Sequence, residues 1–167
     1  MFEQFGEMDS AAEINLLAEN LKKEGDFDSI RKLALENGID ADDAEDYIAG
    51  DLNELCNVVQ AALGKLDLEA KELGCKELMA DWVDWIRAAC AVKDINGKYS
   101  FAESVRRKDR SLAGALGAIL KEAWNLKCEV PEKVVKAAGI SGARVEFGIP
   151  GVALMHKTIS NYYGGAK

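Results

Sequence analysis

The residues with the greatest chemical potential are acids crowded into LALENGIDADDAEDYIAGD, residues 33–51. Carboxylates at such density could bind calcium, exchange protons or present negative charge to a partner. A calcium loop counted from Asp40 needs glycine at its sixth position and glutamate at its twelfth, where this chain has Glu45 and Asp51. None of the acids has the apolar sequence setting that raises a pKa for acid–base catalysis. The cluster therefore favours a binding role.

Other catalytic and cofactor signatures are missing from the sequence. It contains no G-x-x-x-x-G-K-[ST] string and no G-x-G-x-x-G string, so a phosphate-cradling loop is not predicted. His156 is the only histidine, which excludes two-histidine metal sites and favours a surface or interface role for this residue. We therefore predict a non-enzyme without metal or cofactor. Four widely spaced cysteines are expected to be reduced and mostly buried: Cys56, Cys75, Cys90 and Cys128.

Residues 33–51 also have the spacing of a helix-turn-helix, with Ala34 and Gly38 at the small-residue and turn positions. Some of these acidic residues are explained by their positions at predicted helix starts, because N-cap and first-turn positions favour negative charge. Carboxylates on a reading helix would be repelled by DNA phosphates, so direct major-groove reading is not expected. A protein with a basic groove suits this face better. The predicted partner-binding residues are Asp42, Asp43, Glu45 and Asp46; the alternative is a merely solvated acidic face.

Charge is distributed unevenly along the chain. Residues 1–64 contain 16 acids and 4 bases, whereas residues 65–167 contain 13 acids and 17 bases. The second part includes a basic run before a predicted helix, formed by Arg106, Arg107, Lys108 and Arg110. This run is a candidate contact for an acidic partner or for phosphate, including direct nucleic-acid binding. The alternative is a solvated loop.

The expected cellular compartment follows from the hydropathy of the sequence. No apolar run approaches the roughly 20 residues that cross a bilayer, and the opening MFEQFGEMDSAAE is acidic where a secretion signal is basic and then apolar. We therefore expect a cytoplasmic protein without membrane contact.

Apolar spacing predicts an all-α protein of about seven to eight helices, with one short β element near 143–149. Helices are expected to begin at Ser10, near residue 28, at Asp40 and at Asp51, the last running for about 20 residues. Further helices are predicted around 78–90, over 111–126 and after each of the two prolines. Residues 1–50 are expected to form an acidic N-terminal lobe and residues 51–167 the main helical body.

The last third of the chain resembles small proteins carried by conjugative elements and phages of gut Firmicutes, distantly those of the PcfK-like family. Ser111, Leu112, Gly114 and Leu116 in SLAGAL and the closing pair Tyr162–Tyr163 carry the resemblance. The chain departs from that layout by an insertion between the two pieces and by its long acidic N-terminal half. The resemblance implies a mobile-element origin, a setting that includes anti-CRISPR proteins.

These features predict a non-enzymatic inhibitor or modulator that binds a nucleic-acid-handling host protein, such as a CRISPR effector nuclease. One alternative is a DNA-binding or DNA-processing accessory protein of a conjugative element or phage, acting through the basic run. Another is a structural oligomer in which the acids only maintain solubility. Salt dependence of nucleic-acid binding separates the first two hypotheses.

Overall fold

The computed structural model describes residues 3–141 and 144–164, and within them the chain is all-α with one very short sheet. The predicted fold class is confirmed. The described residues form nine helices, one more than the upper number expected, and the β element is the second strand of a two-stranded antiparallel sheet. Position 143 of the predicted β element lies outside the described residues. The elements are α1 (Ala11–Glu24), α2 (Phe27–Glu36), α3 (Ala41–Ala49), α4 (Val58–Leu73), α5 (Leu78–Cys90), α6 (Ser100–Arg106), α7 (Leu112–Asn125), β1 (Cys128–Glu129), α8 (Glu132–Ala137), β2 (Glu146–Phe147) and α9 (Val152–Gly164).

The chain divides into two compact units, Met1–Ala113 and Gly114–Lys167. This division falls later in the chain than the predicted boundary after residue 50, since α4 packs with α1 and with the turn between α2 and α3. The first unit contains 25 acids and 14 bases, and the second contains 4 acids and 7 bases. The negative charge of the chain therefore belongs to the first unit.

The first three helices begin where the sequence predicts. The Ser10 hydroxyl accepts a hydrogen bond from the Glu13 N–H, and the Asp40 carboxylate accepts one from the Asp42 N–H. Gly25 and Gly50 end α1 and α3 in the left-handed conformation that glycine adopts without steric cost. Their inner faces form one apolar core with the segment leading into α4: Ala11, Ile14, Ala18, Ile30, Leu33, Ala34, Ile39, Ala44, Tyr47, Leu55, Cys56 and Ala61.

The predicted start of the fourth helix is wrong. Asp51 lies in a non-helical segment, and α4 begins after Asn57, whose side chain accepts a hydrogen bond from the Gln60 N–H. The Gln60 side chain in turn accepts one from the Asn57 N–H, so a reciprocal capping box forms six residues later than expected. Of the apolar residues in this segment, Leu55 and Cys56 are buried without helical structure, whereas Leu52 is exposed.

Helix α6 is absent from the sequence prediction, which treated its residues as a poorly patterned basic stretch. Its buried face consists of Ala102, Val105 and Arg106. Because an arginine occupies a core position, the apolar periodicity that identifies an amphipathic helix is interrupted. The preceding helix α5 buries Val83, Ile86 and Cys90.

The turn between α2 and α3 packs directly on the backbone of α4. Gly38 has a positive φ of 66°, and a Cβ on this residue would lie 2.5 Å from the Gly64 carbonyl oxygen. A Cβ on Gly64 would lie 2.8 Å from the Gly38 carbonyl oxygen and closer still to that of Asn37. Glycine is required on both sides of this contact, because any side chain would separate the turn from the helix.

Two charged residues on the inner face of α4 hold the segment between α6 and α7. The Lys65 side chain is only 1% exposed, and its ammonium donates to the carbonyl oxygens of Arg107 at 2.6 Å and Arg110 at 2.7 Å. It also pairs with the Glu7 carboxylate at 2.6 Å. One turn further along α4, the buried Glu69 accepts a hydrogen bond from the Leu112 N–H at 2.6 Å. The two side chains thereby satisfy backbone groups around the start of α7.

Arg106 joins α6 to the turn between α2 and α3. Its side chain is buried, and Nη2 donates a hydrogen bond of 2.5 Å to the Asn37 side-chain oxygen. The Asn37 amide nitrogen donates to the Leu33 carbonyl, so this buried amide is bonded through both of its polar atoms. Burial lowers the pKa of Arg106 from its ordinary value, although a guanidinium remains charged at any physiological pH.

The second unit contains most of α7, the helices α8 and α9 and a small two-stranded antiparallel sheet whose strands flank α8 in the chain. Cys128 pairs with Phe147 and Glu129 with Glu146 across the two strands. Helix α7 approaches α9 at Gly114, where a Cβ would collide with the Tyr162 hydroxyl. The Tyr162 and Tyr163 rings meet edge to face with centroids 5.1 Å apart. Trp124 is exposed, and the Lys127 ammonium lies 4.1 Å from the centroid of its ring.

All four thiols are free, but they differ in exposure. Cys56 and Cys90 are buried, and burial raises the pKa of each to about 12. Cys75 is half-buried, and Cys128 is exposed on the strand β1. The expectation of buried thiols is therefore wrong for Cys128. Within the described residues, no helix combines the length and apolar character needed to cross a membrane.

The contact between the turn and α4 predicts opposite effects for two helical glycines. Replacing Gly117 by Ala should raise the free energy of unfolding by about 0.5–1 kcal/mol, since nothing lies within 4 Å and alanine favours helix. Gly64→Ala should instead destabilise by about 1–3 kcal/mol, because the new methyl group overpacks the turn. Denaturant unfolding followed by circular dichroism measures both. Equal stabilisation by the two replacements would contradict the close backbone contact.

Glu69 predicts a pH-dependent difference between the protein and its Glu69→Gln variant. Burial raises the pKa of Glu69 above its ordinary 4.5, so folding favours the protonated carboxyl. Stability from this group is present below pH 4.5 and is lost as the pH rises through the folded-state pKa. Glutamine does not ionise and can still accept from the Leu112 N–H. The stability of the variant relative to the parent should therefore increase between pH 4 and pH 7 in urea titrations; a difference that decreases would contradict the burial of a carboxyl here.

Candidate protein-binding surface

Four acids form a continuous stripe on the outer side of α3. With 3.6 residues per turn, the order around the helix is Ala41, Glu45, Asp42, Asp46 and Asp43, while Ala44 and Tyr47 face the core. We call Asp42, Asp43, Glu45 and Asp46 the acidic stripe; these are the residues predicted from the sequence. Their placement on one face follows from the helical phase that buries Ala44 and Tyr47.

Two members of the stripe have partners within the first unit. Glu45 forms a bidentate pair with Arg31 of α2, with Nε–Oε1 and Nη2–Oε2 distances of 2.5 and 3.0 Å. The hydrogen bond from Arg31 holds the pKa of Glu45 below its ordinary value. The Asp43 carboxylate accepts a hydrogen bond of 2.7 Å from the Gln60 side chain of α4. These two acids orient α3 as well as contributing charge.

The other two members face solvent. Asp42 and Asp46 are exposed, and within the described part of the chain neither carboxylate has a hydrogen-bonding or ion-pairing partner. Asp40 and Asp51 at the two ends of α3 are also exposed. The stripe therefore exposes two carboxylates, and replacing them removes no hydrogen bond or ion pair among the described residues.

Two concave surfaces border α3. A polar cavity of about 510 Å³ lies on the side of Asp43 and is lined by Asp43, Leu52, Asn53, Glu54, Cys56, Asn57 and Gln60. A smaller and largely apolar cavity of about 210 Å³ lies between α2 and α3. We call the latter the α2–α3 groove; it is lined by Arg31, Ala34, Leu35, Ile39, Ala41, Ala44 and Glu45. Sequence reasoning missed both, although an isolated Leu35 outside the apolar face of α2 was a signal that it could have used.

The basic run is not one exposed patch. Arg106 is buried, which corrects its assignment as a surface residue. Arg107 forms a bidentate pair with Asp109 at 2.8 and 2.9 Å, and Arg110 pairs with the same carboxylate at 3.2 Å. Lys108 is exposed and lies 3.8 Å from the Glu13 carboxylate. Two of the four bases thus share one acid, and a third belongs to the core.

Residues suited to metal binding are not brought together in the part of the chain that the structure describes. No group of three or more His, Cys, Asp or Glu side chains could hold a metal ion within residues 3–141 and 144–164. His156 lies half-buried on α9 in the second unit.

Comparison with known proteins adds no relative. No family model matches the chain, and neither a curated protein nor a solved structure matches it.

Adjacent arginines should respond very differently to truncation. Arg106→Ala leaves a cavity and removes the donor to Asn37, so it should lower the free energy of unfolding by about 2–5 kcal/mol. Arg107→Ala removes an exposed ion pair within one loop and should change stability by less than about 1 kcal/mol. Denaturant titration compares the two variants. Equal effects would contradict the burial of Arg106.

Proposed function

We propose that this chain is a mobile-element-encoded, non-enzymatic inhibitor or modulator that binds a nucleic-acid-handling protein through the acidic stripe. In its specific form, the partner is a CRISPR effector nuclease and the chain is an anti-CRISPR protein. The observation that carries the proposal is the exposed pair Asp42 and Asp46, which has no compensating base among the described residues. The resemblance of the last third to mobile-element proteins supports the origin.

The chemistry of the stripe suits a basic protein surface better than a nucleic acid. Each carboxylate that approaches a phosphate in water is repelled by about 1 kcal/mol at 4 Å. A groove that normally holds nucleic acid presents the opposite charge, and the same carboxylates are attracted to it. The first unit carries 11 more acids than bases, so the whole unit reinforces the local field.

The alternative of a DNA-binding accessory protein has less support from the geometry. It requires several bases to contact successive phosphates. In the basic run, Arg106 is buried while Arg107 and Arg110 share Asp109. Among the described residues, Lys108 is then the one base of this run without a close ion pair. A single phosphate contact contributes little affinity for nucleic acid.

Exposed charge should act mainly on the rate of association. Asp42→Ser with Asp46→Ser should leave the fold intact, because both side chains face solvent and Asp40 still caps α3. Inhibition of target-DNA cleavage by guide-loaded CRISPR effector nucleases should then require several-fold more protein at 0.1 M salt. The deficit should shrink at higher salt, since the Debye length falls from about 10 Å at 0.1 M to about 3 Å at 1 M.

The matched control is Arg107→Ser with Lys108→Ser, which removes exposed bases and leaves the buried Arg106 in place. This variant should inhibit as well as the parent protein. If it loses activity while the acidic double variant keeps it at low salt, the acidic-stripe proposal fails. If the parent retains duplex or single-stranded DNA with steep salt dependence, the accessory-protein hypothesis replaces it. Failure to inhibit any effector in a Firmicutes panel would overturn the anti-CRISPR form.

A further inference from the structure

The α2–α3 groove has the size and the lining of a pocket for one side chain. Its volume of about 210 Å³ is below the roughly 300–1,000 Å³ of small-molecule sites, so a substrate or cofactor is not the natural occupant. Ala34, Ile39 and Ala44 provide an apolar floor and are themselves buried. Such a floor favours an aliphatic side chain over water.

Both edges of the groove are distinctive. On the α2 side, Leu35 is 74% exposed, so a large apolar side chain stands in solvent beside an apolar cavity. On the α3 side, Ala41 and Glu45 line the groove, and Asp42 and Asp46 follow around the helix toward solvent. A ligand seated in the groove would therefore meet Leu35 and the Arg31 guanidinium, which is paired with Asp28 and Glu45, on one flank and the acidic stripe on the other.

We propose that the α2–α3 groove receives a single apolar side chain from a Lys- or Arg-rich segment of the partner protein. The apolar side chain anchors the segment by covering Leu35 and filling the groove, while neighbouring bases meet Asp42 and Asp46. Interfaces commonly concentrate their binding energy in one such buried anchor surrounded by polar contacts. The inference rests on the proposed function, because the bases of the segment are those that the acidic stripe attracts.

A pair of synthetic peptides separates the anchor from the charge. Both are short, lysine-rich and fluorescein-labelled; one has a central Leu and the other has Ser in its place. Fluorescence polarisation with the full chain should show at least about tenfold tighter binding of the Leu peptide, the value expected from burying one leucine. Chemical shifts of the Ala41 and Ala44 methyl groups should change on addition of the Leu peptide.

Variants of the chain test the position of the anchor. Ala41→Leu fills the mouth of the groove from an exposed position, and Leu35→Ser removes its apolar edge. Each should remove most of the preference for the Leu peptide. The matched controls lie on α1, away from the groove lining: Ala12→Leu at an exposed alanine and Leu16→Ser at a leucine that is 59% exposed. These controls should bind both peptides as the parent does.

The outcomes distinguish the anchor from the proposed function. The anchor is overturned if the two peptides bind equally and if Asp42→Ser with Asp46→Ser, but not Ala41→Leu, weakens that binding. The acidic stripe would then remain as the binding surface. If neither peptide binds, the anchor is also overturned. The proposed function is tested separately: it is overturned if the variant with Asp42→Ser and Asp46→Ser inhibits the effector as well as the parent protein does. Self-association of the free chain that Ala41→Leu abolishes in sedimentation would assign the groove to a second copy and overturn the proposal.

Discussion

The contact of the Asn37–Gly38 turn with Gly64 is the constraint on which the arrangement of the first unit depends. The turn connects the two helices that carry the groove and the acidic stripe, and it lies against the backbone of α4 with no side chain between them. Asn37 is fully buried there and receives the Arg106 guanidinium from α6. One small region thus fixes α2, α3, α4 and α6 relative to each other.

Buried charge extends this constraint along α4. Removing an ion from water costs several kcal/mol, so a buried lysine or arginine persists only where hydrogen bonds compensate it. Lys65 meets that condition with two carbonyl oxygens and the Glu7 carboxylate, and Glu69 holds the first N–H of α7. These interactions are directional, whereas apolar packing is not. They therefore define how the segments 3–10 and 107–112 attach to α4.

This framework explains why part of the acidic surface is structural and part is available. Glu45 and Asp43 point toward α2 and α4, where Arg31 and Gln60 engage them. Asp42 and Asp46 lie on the remaining side of the same helix and retain their charge toward solvent. Two members of the stripe thus fix the helix that carries the other two, an arrangement that would limit the ordering cost of the binding proposed above.

Local chemistry in the sequence by itself determined the helical class, the caps at Ser10 and Asp40, the glycine ends of α1 and α3 and the phase that places the acids of α3 on one outer face. These depend on residues within a few positions of one another. Only the tertiary structure decided that residues 51–56 are non-helical with the Asn15 side chain bonded to the Cys56 backbone, that Arg106 is internal and that α4 carries two buried charges. Each of these depends on what a distant segment places opposite the residue: Lys65 and Glu69 occupy the apolar positions of α4 because the carbonyl and N–H groups they bind come from residues more than 40 positions away.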